Sequence, residues 1–281
     1  MSRAGFLKFP VTPGRRRLRT VWLGLAASAA VALAPARRLG AQQTSLTVPT
    51  TGADVFQRMH DAYRGAWYRT LRFVQKTTQY RPDGAKVIGT WYESLRQTDT
   101  DTELRIDFGD PRSGNGVKYT ADSTWRVQGG KVTRVVGSGN EFLPLIQGVY
   151  LQPVTRTIEQ LAGTGVAMDR VTAGTWEDQP VWIIGVRSPA DSTAPQIWIS
   201  QDRNVLVRMI LAPAPGAQPL DIRLDDYVPV GQGWLATRVT MLAGGRPAQV
   251  EEYADWKADV PLSGALFDLT SWMTAPHWGA R

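Results

Sequence analysis

The sequence predicts an α+β protein that is mostly antiparallel β: one curled sheet of about eleven strands, covered by an N-terminal helix and a helical insertion. Three observations carry this. Between Leu71 and Lys257 apolar residues recur mostly at a period of two, the spacing of half-buried strands. Short turn signals join these runs, which makes neighbours antiparallel. Two stretches break the rhythm with helical spacing, residues 53–70 and 142–162. A strongly twisted sheet of this size curls, and helices can then cover its concave face.

The chain begins with the pattern of an export signal. Arg15, Arg16, Arg17 and Arg19 precede an apolar stretch, Val21 to Ala34, which is shorter than a membrane span. Leu39-Gly40-Ala41 suits cleavage before Gln42. The arginine pairs leave Sec and twin-arginine export both open. Residues 1–41 hold eight of the 32 basic residues and no acidic one, so the remainder carries 24 basic and 25 acidic residues. The formal charge of +7 therefore belongs to the leader. The remaining basic residues lie dispersed among acids, without the stripe that nucleic-acid binding needs. There is no cysteine. That excludes disulfides, thiol chemistry, Cys-type zinc sites and a lipid anchor on cysteine, so the expectation is a periplasmic protein held by its core alone.

Residues 42–52 read as a flexible lead and residues 53–270 as one domain. Val55, Phe56, Met59, Tyr63, Ala66 and Trp67 form one apolar helical stripe from Ala53 to about Thr70. Strands follow over Leu71–Tyr80 and Lys86–Arg96, joined by Arg81-Pro82-Asp83-Gly84, and then over Glu103–Phe108. Short runs from Val117 to Val136 continue the meander through a Gly129-Gly130 turn. Phe142–Tyr150 and Pro153–Ala162 read as helices that interrupt the sheet, and Gly163 stops the second. Strands resume over Val166–Thr175 and Val181–Arg187, then Leu220–Val228, Trp234–Leu242 and Gln249–Lys257. Residues 271–281 read as a mobile tail.

The most informative hairpin lies between the two middle strand pairs, where Ile197–Ile199 and Val205–Leu211 flank Gln201-Asp202-Arg203-Asn204. Neither strand has a purely polar face. A strand apolar on both sides is either covered core or the wall of an apolar cavity.

Catalytic chemistry finds little support. His60 lies beside the apolar stripe and His277 in the tail, and no nucleophile elbow accompanies either. Asp99, Asp101 and Glu103 resemble a calcium loop, but Leu104 stands where its central glycine belongs, so a hairpin turn is the better reading. Asp225-Asp226 and Glu251-Glu252 are adjacent on strands, so each pair points to opposite faces; both read as solvated edges. Gly137-Ser138-Gly139 and Gly163-Thr164-Gly165 do not open helices as phosphate loops do. No metal or cofactor is expected.

The positive signal is aromatic. Eleven tryptophans are many for 281 residues, and they suit either a large core or a cavity lined by wide apolar side chains. The candidate cavity residues are Trp91, Trp125, Trp182 and Trp198 on strands, Ile184 beside Trp182, and Leu145 and Ile146 in the insertion. Val207, Met209 and Leu211 on the hairpin complete the set.

Four features together resemble the LolA-like superfamily of periplasmic lipoprotein carriers. An amphipathic helix runs straight into the strand Leu71-Arg72-Phe73-Val74-Gln75-Lys76-Thr77. Trp198-Ile199-Ser200-Gln201-Asp202 with Val205-Leu206-Val207-Arg208 is similar to the family's strand, Asp turn and strand with Arg. Val250–Trp256 leads to Leu266-Phe267-Asp268-Leu269, like the family's closing segment. The element order agrees over residues 53–270. The resemblance implies an incomplete β-barrel closed by a helical lid over an apolar cavity, with Arg72 and Arg208 as candidates for a lipid-gating arginine. It implies a non-catalytic carrier of lipid or lipoprotein acyl chains, or an envelope regulatory module that binds a partner protein through the same half-barrel. The extra strands and the absent lipobox cysteine are departures from the minimal carrier and from anchored members.

Overall fold

The protein is described from a computed structural model, over residues 48–191, 193–211 and 218–280. The export signal read over residues 1–41 and the first part of the lead lie outside these residues, as does most of the connection at residues 212–217. No helix among the described residues is long and apolar enough to cross a membrane.

Helix α1 spans Gly52–Ala62. Thr51 and Asp54 close a reciprocal capping box at its start, which satisfies two otherwise orphaned N–H groups. The apolar stripe suggested a helix up to about residue 70, but the chain leaves helical geometry at Tyr63, and Gly65 takes φ 71° in the following turn. Tyr63 and Trp67 still pack together across that turn, edge to face at 4.9 Å.

Thirteen strands form among the described residues, where about eleven were expected. They are β1 (Thr70–Tyr80), β2 (Lys86–Gln97), β3 (Thr102–Phe108), β4 (Gly116–Tyr119), β5 (Thr124–Gln128) and β6 (Lys131–Val136), then β7 (Val171–Trp176), β8 (Gln179–Ile184), β9 (Gln196–Ser200), β10 (Leu206–Leu211), β11 (Leu220–Val230), β12 (Gly233–Ala243) and β13 (Arg246–Ala258). The short outer runs complete full hydrogen-bonded ladders with their neighbours, which raises the count. All belong to one sheet in the order β6-β5-β4-β3-β2-β1-β13-β12-β11-β10-β9-β8-β7, with antiparallel neighbours throughout. The chain thus enters at the centre, walks out to one edge, crosses to the far edge, and walks back until β13 pairs β1. Strands β6 and β7 are not paired with each other, so the barrel stays open.

The crossing segment is the insertion. A π-turn over Pro144–Gly148 runs into α2 (Val149–Leu151), and α3 (Val154–Leu161) follows. Because it leaves from one edge and returns at the other, it must cross a face of the curled sheet; it covers the concave one.

Helix α1 fills the β8–β10 half of that face. Gly52 donates its N–H to Met168 O at 2.7 Å, and a Cβ there would lie within 3.0 Å of Ile184 and Met168. Arg58 lies over the Trp182 ring at 5.7 Å. The in-register row Ile184, Ile197, Met209 and Ile222 is fully buried with Val55, Phe56 and Met59 in one apolar core.

Residues 264–280, partly expected as a mobile tail, pack across the outer face of β1–β4. Arg105 is fully buried there: its guanidinium donates to both Asp107 carboxylate oxygens at 2.7 Å and to the carbonyls of Leu266 (2.8 Å) and Trp272 (3.1 Å). The Trp272 ring covers the guanidinium at 3.8 Å, and Gly116 leaves the space its ring needs. Trp278 donates to Ser94 Oγ at 2.8 Å and stacks under Arg72 at 4.7 Å. A buried cation needs partners, and the tail supplies them.

Candidate functional site: an apolar cavity with a carboxyl-bearing floor

Helix α1 has only 11 residues and covers one half of the concave face. Over the other half the insertion acts as a roof, and a cavity of about 430 Å³ lies between roof and sheet. This falls within the roughly 300–1,000 Å³ range of small-ligand sites. The floor comes from β1–β5, the start of β10 and β11–β13, and the roof from residues 139–150. Most of the wall is apolar: Phe73 packs on Tyr253 at 4.5 Å, and Trp91 on Phe108 at 4.7 Å. Asp226, at φ 54°, kinks β11 so that Leu224 and Tyr227, three residues apart, both line the cavity.

The roof is pinned at its inner end. Trp67 Nε1 donates to Gln147 Oε1 at 3.1 Å, and Gln147 Nε2 donates to Tyr68 O at 2.7 Å. Trp67 stacks on Tyr150 with centroids 3.7 Å apart. Tyr150 donates its hydroxyl to Asn204 O at 3.0 Å, and burial raises that phenol well above its ordinary range. His60 Nδ1 lies 3.0 Å from Val149 O, which can only accept, so the imidazole donates and ties α1 to α2.

Polar groups gather on the floor. Glu93, on β2, is 5% exposed and lies in register between Phe73 of β1 and Ile106 of β3. Among the described residues it has no hydrogen-bond or ion-pair partner, and burial first, then the nearby Glu251, hold its carboxyl well above the ordinary glutamate range. Glu251, on β13, is satisfied: Gln249 Nε2 and Tyr253 Oη each donate to it at 2.6 Å. Burial still raises its carboxyl, against those bonds and one from Gln75. Gln75, opposite Trp91 and Tyr253 on β1, is buried behind the floor and does not line the cavity; its amide donates to Thr77 Oγ1 at 2.8 Å, and its carbonyl oxygen has no donor among the described residues. Arg126 and Glu141 stand exposed where the cavity meets solvent.

Of the ten residues chosen from the sequence, Trp91 and Ile146 line this cavity. Leu145 is buried in the roof but does not line it, and Trp125 lies on β5 beneath Lys118, 5.6 Å from the ring centroid. Trp182, Ile184 and Met209 belong to the half that α1 fills. Val207 is buried beside a register shift in β10, and Leu211 closes that strand opposite Leu220. Trp198 lies on the outer face: Arg208 stacks over it at 4.8 Å and over Trp176 at 4.9 Å, while holding Asp221 with two hydrogen bonds. Arg72 and Arg208, the two candidate gating arginines, therefore both sit on the outer face, away from the cavity.

Sequence reading missed Glu93, Tyr119, Tyr227 and Tyr253. The signal was present for Glu93, because it occupies the apolar phase of β2 between Trp91 and Leu95. Glu251-Glu252 do point to opposite faces, but only Glu252 is solvated, where it pairs with Lys76 at 2.8 Å; Glu251 is buried.

No protein-family model and no curated protein sequence matches the chain. Solved structures do match in shape. A domain named for outer-membrane lipoprotein sorting, from Vibrio parahaemolyticus, aligns with TM-score 0.54 at 13% identity, over 79% of this chain and 98% of that one. A DUF1329 family protein from Desulfovibrio piger aligns with TM-score 0.52 at 14% identity, over 77% and 95%. A LolA superfamily protein from Nitrosomonas europaea is further away, with TM-score 0.48 at 11% identity over 78% and 98%. At such identities the likeness is one of fold, and the chain shares with the first two structures its overall α+β architecture.

Proposed function

We propose that the protein is a non-catalytic periplasmic carrier that holds one alkyl chain of a lipid or lipidated protein between the curled sheet and its helical roof. The observation that carries this reading is the cavity itself: about 430 Å³, walled largely by aliphatic and aromatic side chains and roofed by the chain's own insertion. Burial of a methylene contributes about 0.8 kcal/mol, so a twelve-carbon chain gains roughly 10 kcal/mol before ordering costs. No cofactor is needed for that. The leader-like residues 1–41 and the likeness to a domain named for lipoprotein sorting support the envelope location.

A titration with the apolar probe N-phenyl-1-naphthylamine tests it. Saturable fluorescence enhancement, reversed by a dodecyl-chain competitor, is the expected result. A protein that neither enhances the probe nor takes up any alkyl compound is no carrier. A second reading, a module that binds an envelope protein, draws on edge strand β6, where Val132 and Val135 are exposed beside an unpaired ladder. Stoichiometric recovery of one envelope protein without lipid favours that reading.

A further inference from the structure

Among the described residues no donor of the cavity floor engages Glu93. Gln249, Tyr253 and Gln75 all serve Glu251, and the Gln75 amide also donates to Thr77 Oγ1. That leaves the Glu93 carboxyl, on the cavity wall, without a hydrogen-bond partner among the described residues. Buried polar groups without partners are uncommon, and a buried carboxyl with none is costly. Apolar residues surround Glu93: Phe73 and Ile106 across the strands, and Trp91 and Leu95 two positions away on its own strand. The other charged or titratable groups of the cavity wall are Glu251, Glu141, Tyr68, Tyr119, Tyr150, Tyr227, Tyr253 and Arg126, and none of them bonds to Glu93. Three carboxyl groups face one guanidinium in that wall. Such a floor disfavours an anionic head and suits a cation that brings its own N–H donors. The rings of Trp91, Phe108, Tyr119 and Tyr253 add negative π faces on the same wall.

We propose that Glu93 is the head-group subsite of the cavity and that the ligand is an amphiphile whose polar end is a primary ammonium group. This rests on the carrier reading above and names its ligand class. The ammonium donates to Glu93, and its alkyl chain lies against the apolar wall. Burial favours the protonated carboxyl and the charge pair favours the ionised one, so binding is coupled to proton release from Glu93.

The test is competition against N-phenyl-1-naphthylamine by dodecylamine, dodecanol and dodecanoate at neutral pH, with wild type and Glu93→Gln. Charge-assisted hydrogen bonds predict that wild type prefers dodecylamine to dodecanol by about tenfold or more. Glu93→Gln brings the amine to within about threefold of the alcohol. Because Gln is close in shape to a protonated Glu, thermal melting reports whether the variant is folded. Calorimetry of the wild type in buffers of different ionisation enthalpy gives a second readout that needs no variant: proton release with dodecylamine and none with dodecanol. Equal binding of all three compounds, or tighter binding of dodecanoate, overturns the head-group assignment and leaves the carrier reading standing. If none of the three binds, both fall together.

Discussion

The indole of Trp67 and the phenol of Tyr150 stack with their centroids 3.7 Å apart and their planes 17° from parallel. This contact, with the Trp67–Gln147–Tyr68 hydrogen bonds beside it, fastens the roof to the start of β1. On the carrier reading proposed above, the roof parts from this pin to release its ligand. Gln147→Ala leaves the indole N–H and a backbone carbonyl unsatisfied, which costs about 1–3 kcal/mol. Urea unfolding should show that loss, and stopped-flow displacement of a bound probe should show faster release than in wild type.

The two faces of the sheet separate binding from stability. Leu224 lines the cavity, whereas Trp198 stacks with Arg208 on the outside. Leu224→Trp fills part of the cavity at a packing cost of about 1–3 kcal/mol. It should weaken binding of a dodecyl probe by roughly tenfold or more, since two lost methylene contacts already suffice. Trp198→Ala should lower stability by about 3–5 kcal/mol and leave probe affinity unchanged. Parallel melting and probe titration of both variants check the contrast.

Glu93 gives stability a defined pH dependence. Burial, reinforced by Glu251, raises its folded value above the ordinary 4.5, so the folded chain keeps a proton that the unfolded chain releases. Its favourable contribution is complete below 4.5 and is lost as pH rises through the folded value. Glu93→Gln cannot ionise. Relative to wild type, it should gain stability progressively with rising pH in ligand-free protein, and match it near pH 4. Urea midpoints across that range measure this; a difference that is flat with pH contradicts it.

Arg105 and Asp107 form a fully buried ion pair on the outer face, with exposures of 1% and 0%. His277 Nδ1 accepts from the Gly279 N–H at 2.9 Å, which leaves Nε2–H to donate to Asp107 at 3.1 Å. Asp107→Asn leaves the guanidinium uncompensated and should cost about 3–5 kcal/mol. The segment at residues 264–280 should then become sensitive to protease while the cavity still binds its probe.

The strand rhythm was legible because period-two alternation and glycine turns are local. Turn residues such as Gly129-Gly130 and Gly244-Gly245 mark the strand ends and adopt positive φ as required. The helical insertion was legible from the same break in period. What the sequence hides is which apolar face meets a helix and which meets a void. Trp182 and Met209 look like Trp91 in sequence, yet α1 covers the first two and stops short of the third. The tail was misjudged for a similar reason. Its anchor is Arg105, about 160 residues away, and no local pattern around Trp272 announces a buried guanidinium. Glu93 was the readable clue that went unused, a charge in the apolar phase of a strand.

Native mass spectrometry of the protein purified from an envelope fraction, followed by identification of what is released on activation, tests the central claim most directly. The expected result is one amphiphile per chain, carrying an alkyl chain, present on wild type and depleted on Leu224→Trp. A spectrum that shows only the bare polypeptide mass, unchanged after incubation with dodecyl amphiphiles, contradicts the assignment of the cavity as a binding site.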